Sequence, residues 1–264
     1  MQYIKIKNKI IGFDTPKVCV PIVGRTESEI EEQLDKIIGV AQSCDADSHI
    51  DIVEFRGDYF EGLGDKTRLT ELMRHLSEKL IDIILMFTIR SEAEGGEHLM
   101  FDVKGINDIN EYIIKNRLAD IVDLELFSGA ERIEGLCDLA KENNVKIIIS
   151  NHDFKTTPHT DEIVNRLRMM QDLGADIAKI AVMPENKIQL MGLLNATVIM
   201  NEQYADIPIV TMSMGKLGVI SRVTGQVFGS AITFAALENA SAPGQIPLRD
   251  LNKALGIVDK YCSE

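Results

Sequence analysis

The chain has 264 residues, 45% hydrophobic and 26% charged, which excludes a disordered polyelectrolyte and supplies enough apolar side chains for a substantial core. Its formal net charge of −13 lacks the basic footprint that a nucleic acid or an anionic membrane surface demands, so neither is expected as a partner. Cys19, Cys44, Cys137 and Cys262 are far apart and form no Cys-x-x-Cys pair, so a zinc ribbon, a dithiol redox motif and a disulfide framework are not expected either.

At the N-terminus Met1 to Lys7 alternates apolar and basic residues without the apolar stretch of a signal peptide. No later run has the length of a membrane span, and a cytoplasmic protein is expected. Two strand-like pieces on either side of Asn8 predict a hairpin. Apolar runs follow at 18–23, 50–55, 83–89, 121–126, 145–149, 177–182, 207–212 and 227–233, separated by segments of helical period such as 29–38 and 162–170. Eight strands alternating with helices predict an α/β fold, a (β/α)8 TIM barrel occupying residues 1–264 as one catalytic domain, with the hairpin closing its lower end. An open doubly wound sheet is the alternative, but no Gly-x-Gly-x-x-Gly turn follows the first run.

A barrel of this kind keeps its chemistry at the C-terminal ends of its strands. There the sequence puts Glu54 and Arg56, Arg90 and Glu94-Gly95-Gly96, Asp123-Leu124-Glu125, Ser150-Asn151-His152-Asp153, Lys179, Met212 and Met214, Ser221-Arg222, and Ser241 to Gln245. Lys179 lies in the middle of an apolar strand. A lysine that loses water without gaining a partner escapes by shedding its proton, and a neutral amine is a nucleophile. A side chain that snorkels to the rim explains the same residue equally well when the run is taken alone. His152, one strand away, titrates near pH ~6.5 and can serve as acid and base, although most histidines only hydrogen-bond a loop. Amine plus proton shuttle is what imine chemistry on a ketone needs. Arg56, Arg90 and Arg222 at one mouth of an acidic protein suit an anionic ligand, with Glu54 and Glu94 orienting them or holding hydroxyls. Glu54 and Arg56 are two apart and share a face of their strand. Met212 and Met214 share a face too, and core packing is their commoner role.

These motifs, in order, resemble those of type I 3-dehydroquinate dehydratase: Glu54-x-Arg56, Phe87-Thr88-Ile89-Arg90-Ser91 with Glu94-Gly95-Gly96, Ser150-Asn151-His152-Asp153-Phe154, Lys179-Ile180-Ala181, Met212-Ser213-Met214 with Ser221-Arg222, and Ser241-Ala242-Pro243-Gly244-Gln245. The resemblance implies a lyase of the shikimate pathway, serving aromatic amino-acid (chorismate) biosynthesis, that dehydrates 3-dehydroquinate through a Schiff base without metal or cofactor. It implies that Lys179 forms the imine, that His152 is the general acid/base, and that Glu94 assists it. By the same resemblance Glu54, Arg56, Arg90, Arg222, Ser241 and Gln245 bind substrate, Arg222 at its carboxylate, and the enzyme is a homodimer. Pro21 and Tyr59 depart from the serine and histidine of some relatives. A class I aldolase shares barrel and lysine, but its phosphate site calls for glycine-rich loops after strands seven and eight, where this chain has Ser221-Arg222 and Ser241 to Gln245. A barrel that binds an anion without turnover is compatible with the fold and leaves Lys179 and His152 without a purpose.

Overall fold

The computed structural model describes residues 3–12, 15–43, 45–237 and 242–262. Its frame is a parallel sheet of β3 (Lys17–Ile22), β4 (Ile52–Arg56), β5 (Ile84–Thr88), β6 (Ile121–Glu125), β7 (Lys146–Asp153), β8 (Ile177–Val182), β9 (Ile209–Ser213) and β10 (Ile232–Ala236). From β3 to β9 each strand pairs with the next in chain order, and β10 returns to pair with β3 through Ile232–Lys17, Thr233–Val18 and Phe234–Cys19. The seam between β9 and β10 is held by a bridge from Ile209 to Ser230 and by the Ala231 N–H donating to the Ile209 carbonyl at 2.8 Å. A two-residue strand, β11 (Ile246–Pro247), extends the outer side of β10. The result is the expected α/β barrel.

Helices α1 (Glu27–Ala41), α2 (Lys66–Lys79), α3 (Val103–Lys115), α4 (Ala130–Asn143), α5 (Thr160–Asp172), α6 (Lys187–Ile199), the short α7 (Val219–Val223) and α8 (Gly225–Phe228), and α9 (Leu248–Cys262) connect or follow the strands. Several start where the sequence supplies a cap: Thr26, Asp65, Asp102 and Asn186 each accept a backbone N–H of the first turn. Six of the eight predicted runs coincide with strands to within two residues, and a seventh matches β7 at its start but not its end, since the strand runs on to Asp153. The eighth does not: Val227 and Phe228 belong to α8, and the strand begins at Ile232. Gly229, with φ 99°, ends that helix and lies against Asn201, which a Cβ would strike. An apolar run with glycine in its middle therefore folds as a helical turn followed by a strand.

Parity along the strands divides the apolar residues into two cores. Residues such as Val20, Val53, Phe55, Phe87, Val122, Ile149 and Ile180 point outward and pack beneath the helices. Cys19, Ile52, Ile84, Ile121, Ile148, Ile177, Val210 and Ile232 point inward and fill the lower barrel. The N-terminal hairpin, β1 (Ile4–Ile6) paired antiparallel with β2 (Lys9–Ile11), adds Ile6 and Ile11 to this inner cluster and so plugs the lower end. Its turn residue Lys7 has φ 51° and is anchored by its ammonium to the Leu80 and Ile83 carbonyls at 3.0 and 2.7 Å and to Asp120 at 2.9 Å.

Around that lower end a four-fold pattern appears. Asp51, Asp120, Asp176 and Ser230 precede alternate strands, and each accepts the backbone N–H of the neighbouring preceding strand, from Val18, Leu85, Ile147 and Thr211 respectively. Each acid also meets a lysine: Lys9 at Asp51, where His49 Nε2 lies 2.9 Å away, Lys7 at Asp120, and Lys146 at Asp176. Burial alone would raise the Asp51 carboxyl, but His49, the Val18 N–H and Lys9 outweigh it and hold it at about 2.

Candidate active site

Two residues above four of the lower isoleucines the same inward parity delivers a polar or charged group. Ile52 is followed by Glu54 and Arg56, Ile121 by Asp123 and Glu125, Ile148 by Ser150 and His152, and Ile177 by Lys179 and Ala181. Met212 and Met214 stand above Val210, and Phe234 above Ile232. Of these, Glu54, Arg56, His152, Lys179, Ala181, Met212, Met214 and Phe234, with Arg90, Glu94, Arg222, Phe154, Ala242 and Gln245, line a pocket of about 460 Å³, its open mouth included, at the C-terminal end of the barrel, while Asp123, Glu125 and Ser150 stand behind that lining.

Lys179 is 3% exposed and does not snorkel. Its Nζ donates to Asp123 Oδ2 at 3.1 Å and lies 4.7 Å from the centre of the Phe234 ring. The buried amine thus has a carboxylate partner that the sequence, viewed strand by strand, did not single out. Asp123 is itself saturated, since Oδ1 accepts from Arg90 Nη2 at 2.9 Å and from Ser150 Oγ at 2.6 Å. Burial opposes its ionisation, but Arg90, Lys179 and Ser150 prevail and hold the carboxyl at about 2.

His152 stands beside Lys179 on the adjacent strand, with Ser150 in register with Lys179 and His152 with Ala181. Glu94 Oε2 is 3.0 Å from its Nδ1 and accepts its backbone N–H at 2.9 Å. Burial, reinforced by the positive charges of Arg90, Lys179 and Arg56, pushes the imidazole well below its ordinary pKa and keeps it neutral at neutral pH. With Nδ1 engaged, Nε2 is the nitrogen left to exchange protons. Burial and the nearby Glu125 carboxylate raise Glu94 to about 7, against Arg90, Asn151 and the His152 N–H. A glutamate can reach this position because the turn 91–96 folds tightly: a Cβ on Gly96 would meet the Arg90 carbonyl oxygen at 2.0 Å, and Gly95, with φ 84°, lies against the Phe154 ring.

The arginines are not equivalent. Arg56 forms a two-pronged pair with Asp58 at 2.8 and 2.7 Å, which overcomes the effect of burial and raises its pKa. Arg90 meets Asp123 at 2.9 Å and Glu125 at 3.2 Å, and Glu94 only at 3.6 Å. Glu54 accepts from Thr88 Oγ1 at 2.9 Å. The carboxylates nearest these two arginines are thus Asp58, Asp123 and Glu125, with Glu94 a more distant partner of Arg90 and Glu54 turned to Thr88. Arg222 has no acidic partner among the described residues. It donates to the Pro243 carbonyl at 3.1 Å and contacts Met212 Sδ at 3.8 Å, its Nε is buried without a partner, and burial lowers its pKa to about 10. A buried guanidinium with an unused donor beside a pocket is a place for an anion.

Of the predicted site residues, Lys179, His152, Glu94, Glu54, Arg56, Arg90, Arg222 and Gln245 converge on this pocket. Ser241 lies outside the described residues. Met212 and Met214, expected as core, are both buried in the inner cluster and exposed to the pocket as its wall. Asp58 was missed, and Asp123 was noticed without a role, although each stands two residues from a recognised inward group and that spacing was the available signal. Tyr59 lies under Arg25 and Arg56 with its ring centre 5.8 and 5.1 Å from their guanidinium carbons.

The family model for type I 3-dehydroquinase matches residues 18–261. The chain is 44% identical over 259 residues to a 3-dehydroquinate dehydratase of Bacillus licheniformis, covering 98% of each chain. It is 45% identical over 262 residues to that of Bacillus subtilis, again with 98% of each covered. A crystal structure of the Clostridium difficile type I 3-dehydroquinate dehydratase, described with covalently modified comenic acid, superposes with a TM-score of 0.91 at 43% identity, covering 99% of this chain and all of that one. With matches of this extent on a barrel whose mouth gathers the motif residues, the chain belongs to the type I 3-dehydroquinase family and is a hydro-lyase with 3-dehydroquinate dehydratase function.

Proposed function

We propose that the chain acts as one catalytic domain that removes water from 3-dehydroquinate through an imine on Lys179, giving 3-dehydroshikimate by syn elimination. The amine attacks the C3 ketone, and water leaves as the imine forms. The protonated imine draws electrons from C2, and Nε2 of His152 takes the acidified C2 proton. The enamine electrons then expel the hydroxyl, which leaves as water with the proton that His152 returns. Hydrolysis of the conjugated imine frees the product and restores Lys179. One base can serve both proton steps because proton and hydroxyl depart from the same face. Glu94 holds His152, while Arg222 takes the substrate carboxylate, and Glu54, Arg56, Arg90, Ser241 and Gln245 take the remaining polar groups. The single observation that carries this reading is a buried lysine and a partly buried, neutral histidine on adjacent strands facing one pocket.

The reaction would serve aromatic amino-acid biosynthesis in the cytoplasm; no helix among the described residues is long and apolar enough to cross a membrane. A homodimer is supported by the exposed Ile188 and Met191 on α6 and Leu217 on the adjoining turn, an apolar surface that a second copy would cover. Borohydride added with 3-dehydroquinate should fix a covalent adduct on Lys179 while the enone product absorbs in the ultraviolet. An intact, ligand-binding protein that gives neither adduct nor enone would reject the mechanism.

A further inference from the structure

The side chain of Asn151 sits between two groups of opposite demand. Its Nδ2 donates to Glu94 Oε1 at 3.0 Å, and its Oδ1 accepts from Arg166 Nη1 at 2.9 Å. An amide can present either end to a neighbour, but a guanidinium has only donors, so Arg166 compels the oxygen to face α5 and the NH2 to face Glu94. Arg166 is itself held on that helix, its Nε donating to Glu162 at 2.7 Å and its guanidinium lying 5.7 Å from the centre of the Phe127 ring. Glu94 then has Oε1 occupied by Asn151, which leaves Oε2 for both the backbone N–H and Nδ1 of His152.

We propose that Arg166 and Asn151 are positioning residues: through a relay Arg166–Asn151–Glu94–His152 they fix the Glu94 carboxylate and with it the histidine tautomer whose Nε2 is unprotonated. Neither residue lines the pocket, and Arg166 reaches the chemistry from the helix layer, outside the barrel wall. Without Arg166 the Asn151 oxygen loses the donor that anchors it, so the NH2 that holds Glu94 Oε1 is no longer fixed in place. Glu94 would then rest on the His152 backbone N–H and on Arg90 at 3.6 Å while Glu125 repels it, and Nδ1 would lose its rigidly placed acceptor. Other charges around His152, from Arg90, Lys179 and Arg56, oppose a proton on the ring without choosing between its nitrogens.

The consequence for turnover rests on His152 being the acid/base, but the tautomer does not, and the test separates the two. Nitrogen-15 spectra of ligand-free wild type should show His152 as one Nδ1-protonated tautomer. Arg166→Met, which keeps an unbranched side chain but no donor, should give a mixture, and Asn151→Asp, which can accept from Arg166 but cannot donate to Glu94, should give a larger change. For Arg166→Met kcat should fall about tenfold and for Asn151→Asp about a hundredfold, as loss of aligned proton transfer would produce. KM and borohydride trapping should stay within about twofold of wild type, because neither carboxylate binding nor imine formation uses the relay. Arg166→Lys, which restores a donor, should recover most of the rate. An unchanged tautomer and rate in both variants would overturn the relay, and so would trapping that declines in step with kcat. A tautomer shift in a protein that forms no adduct at all would uphold the relay and reject the imine.

Discussion

Asp123 and Lys179 are joined at 3.1 Å inside the barrel, and the second oxygen of the same carboxylate is shared by Arg90 and Ser150. One carboxylate therefore touches two buried basic groups, Arg90 having Glu125 as a further partner. Replacing it with asparagine keeps the volume but leaves one charge too many, and whichever cation faces the new NH2 meets donor against donor. Breaking a buried pair in this way costs about 3–5 kcal/mol. Asp123→Asn should lose that amount in urea unfolding at pH 7 and should trap little substrate with borohydride. The acid limb provides the sign: the folded carboxyl is held at about 2, below its unfolded value, so its contribution is complete at neutral pH and disappears as pH falls through the folded value. Unfolding curves of variant and wild type should accordingly converge toward pH 2.

Glu94 has the opposite linkage. Its folded carboxyl is raised to about 7, so the folded state prefers the proton, and its ionisation costs stability as pH climbs from the unfolded value to the folded one. Activity needs the ionised form, because a carboxylate can accept from Nδ1–H and a carboxylic acid can donate to Nδ1 and misplace the ring proton. The catalytic rate should therefore drop as pH goes below about 7 while the protein becomes more stable. Glu94→Gln should lose most activity and melt higher than wild type at pH 8; a lower melting temperature there would contradict the raised carboxyl.

Arg222 combines a lowered pKa with a buried, unpartnered Nε and no acidic neighbour among the described residues. A cation left in that condition weakens the fold unless a ligand supplies the charge. Arg222→Met should leave thermal stability equal or higher and raise KM for 3-dehydroquinate by about a hundredfold, the effect of one lost charged contact. Added substrate should stabilise wild type much more than the variant, which a melting series with and without ligand reads directly.

Much of this was legible from apolar runs and their period. The sixth run, 177–182, is β8 residue for residue, and the alternation of strand and helix specified the barrel because a parallel sheet buried on both faces leaves continuous Val and Ile runs. Ordered polar residues at strand ends located the pocket. What the runs did not convey is pairing across strands. Lys179 and Asp123 are 56 positions apart, and their contact depends on how β6, β7 and β8 curl toward one centre. Likewise Arg56 looked like a free anion receptor until Asp58, two residues on, was seen to claim it. The eighth strand failed for a local reason: Gly225 and Gly229 interrupt an apolar segment, and hydropathy alone does not reveal the turn between them.

The lower end of the barrel should be separable from its chemistry. Asp176 Oδ2 accepts the Ile147 N–H at 2.9 Å and Oδ1 holds Lys146 at 2.8 Å, the same device that Asp51, Asp120 and Ser230 repeat at the other strand pairs. Asp176→Ala strands a backbone donor at a strand end, which costs about 1–3 kcal/mol, whereas Lys146→Met removes only a partly exposed ion pair worth under about 1 kcal/mol. Both substitutions lie at the opposite end of the sheet from Lys179 and His152, so kcat and KM should match wild type at 25 °C. Urea unfolding should rank the two variants in that order. Equal losses would mean that the ion pair, and not the backbone latch, joins β7 to β8 at this end.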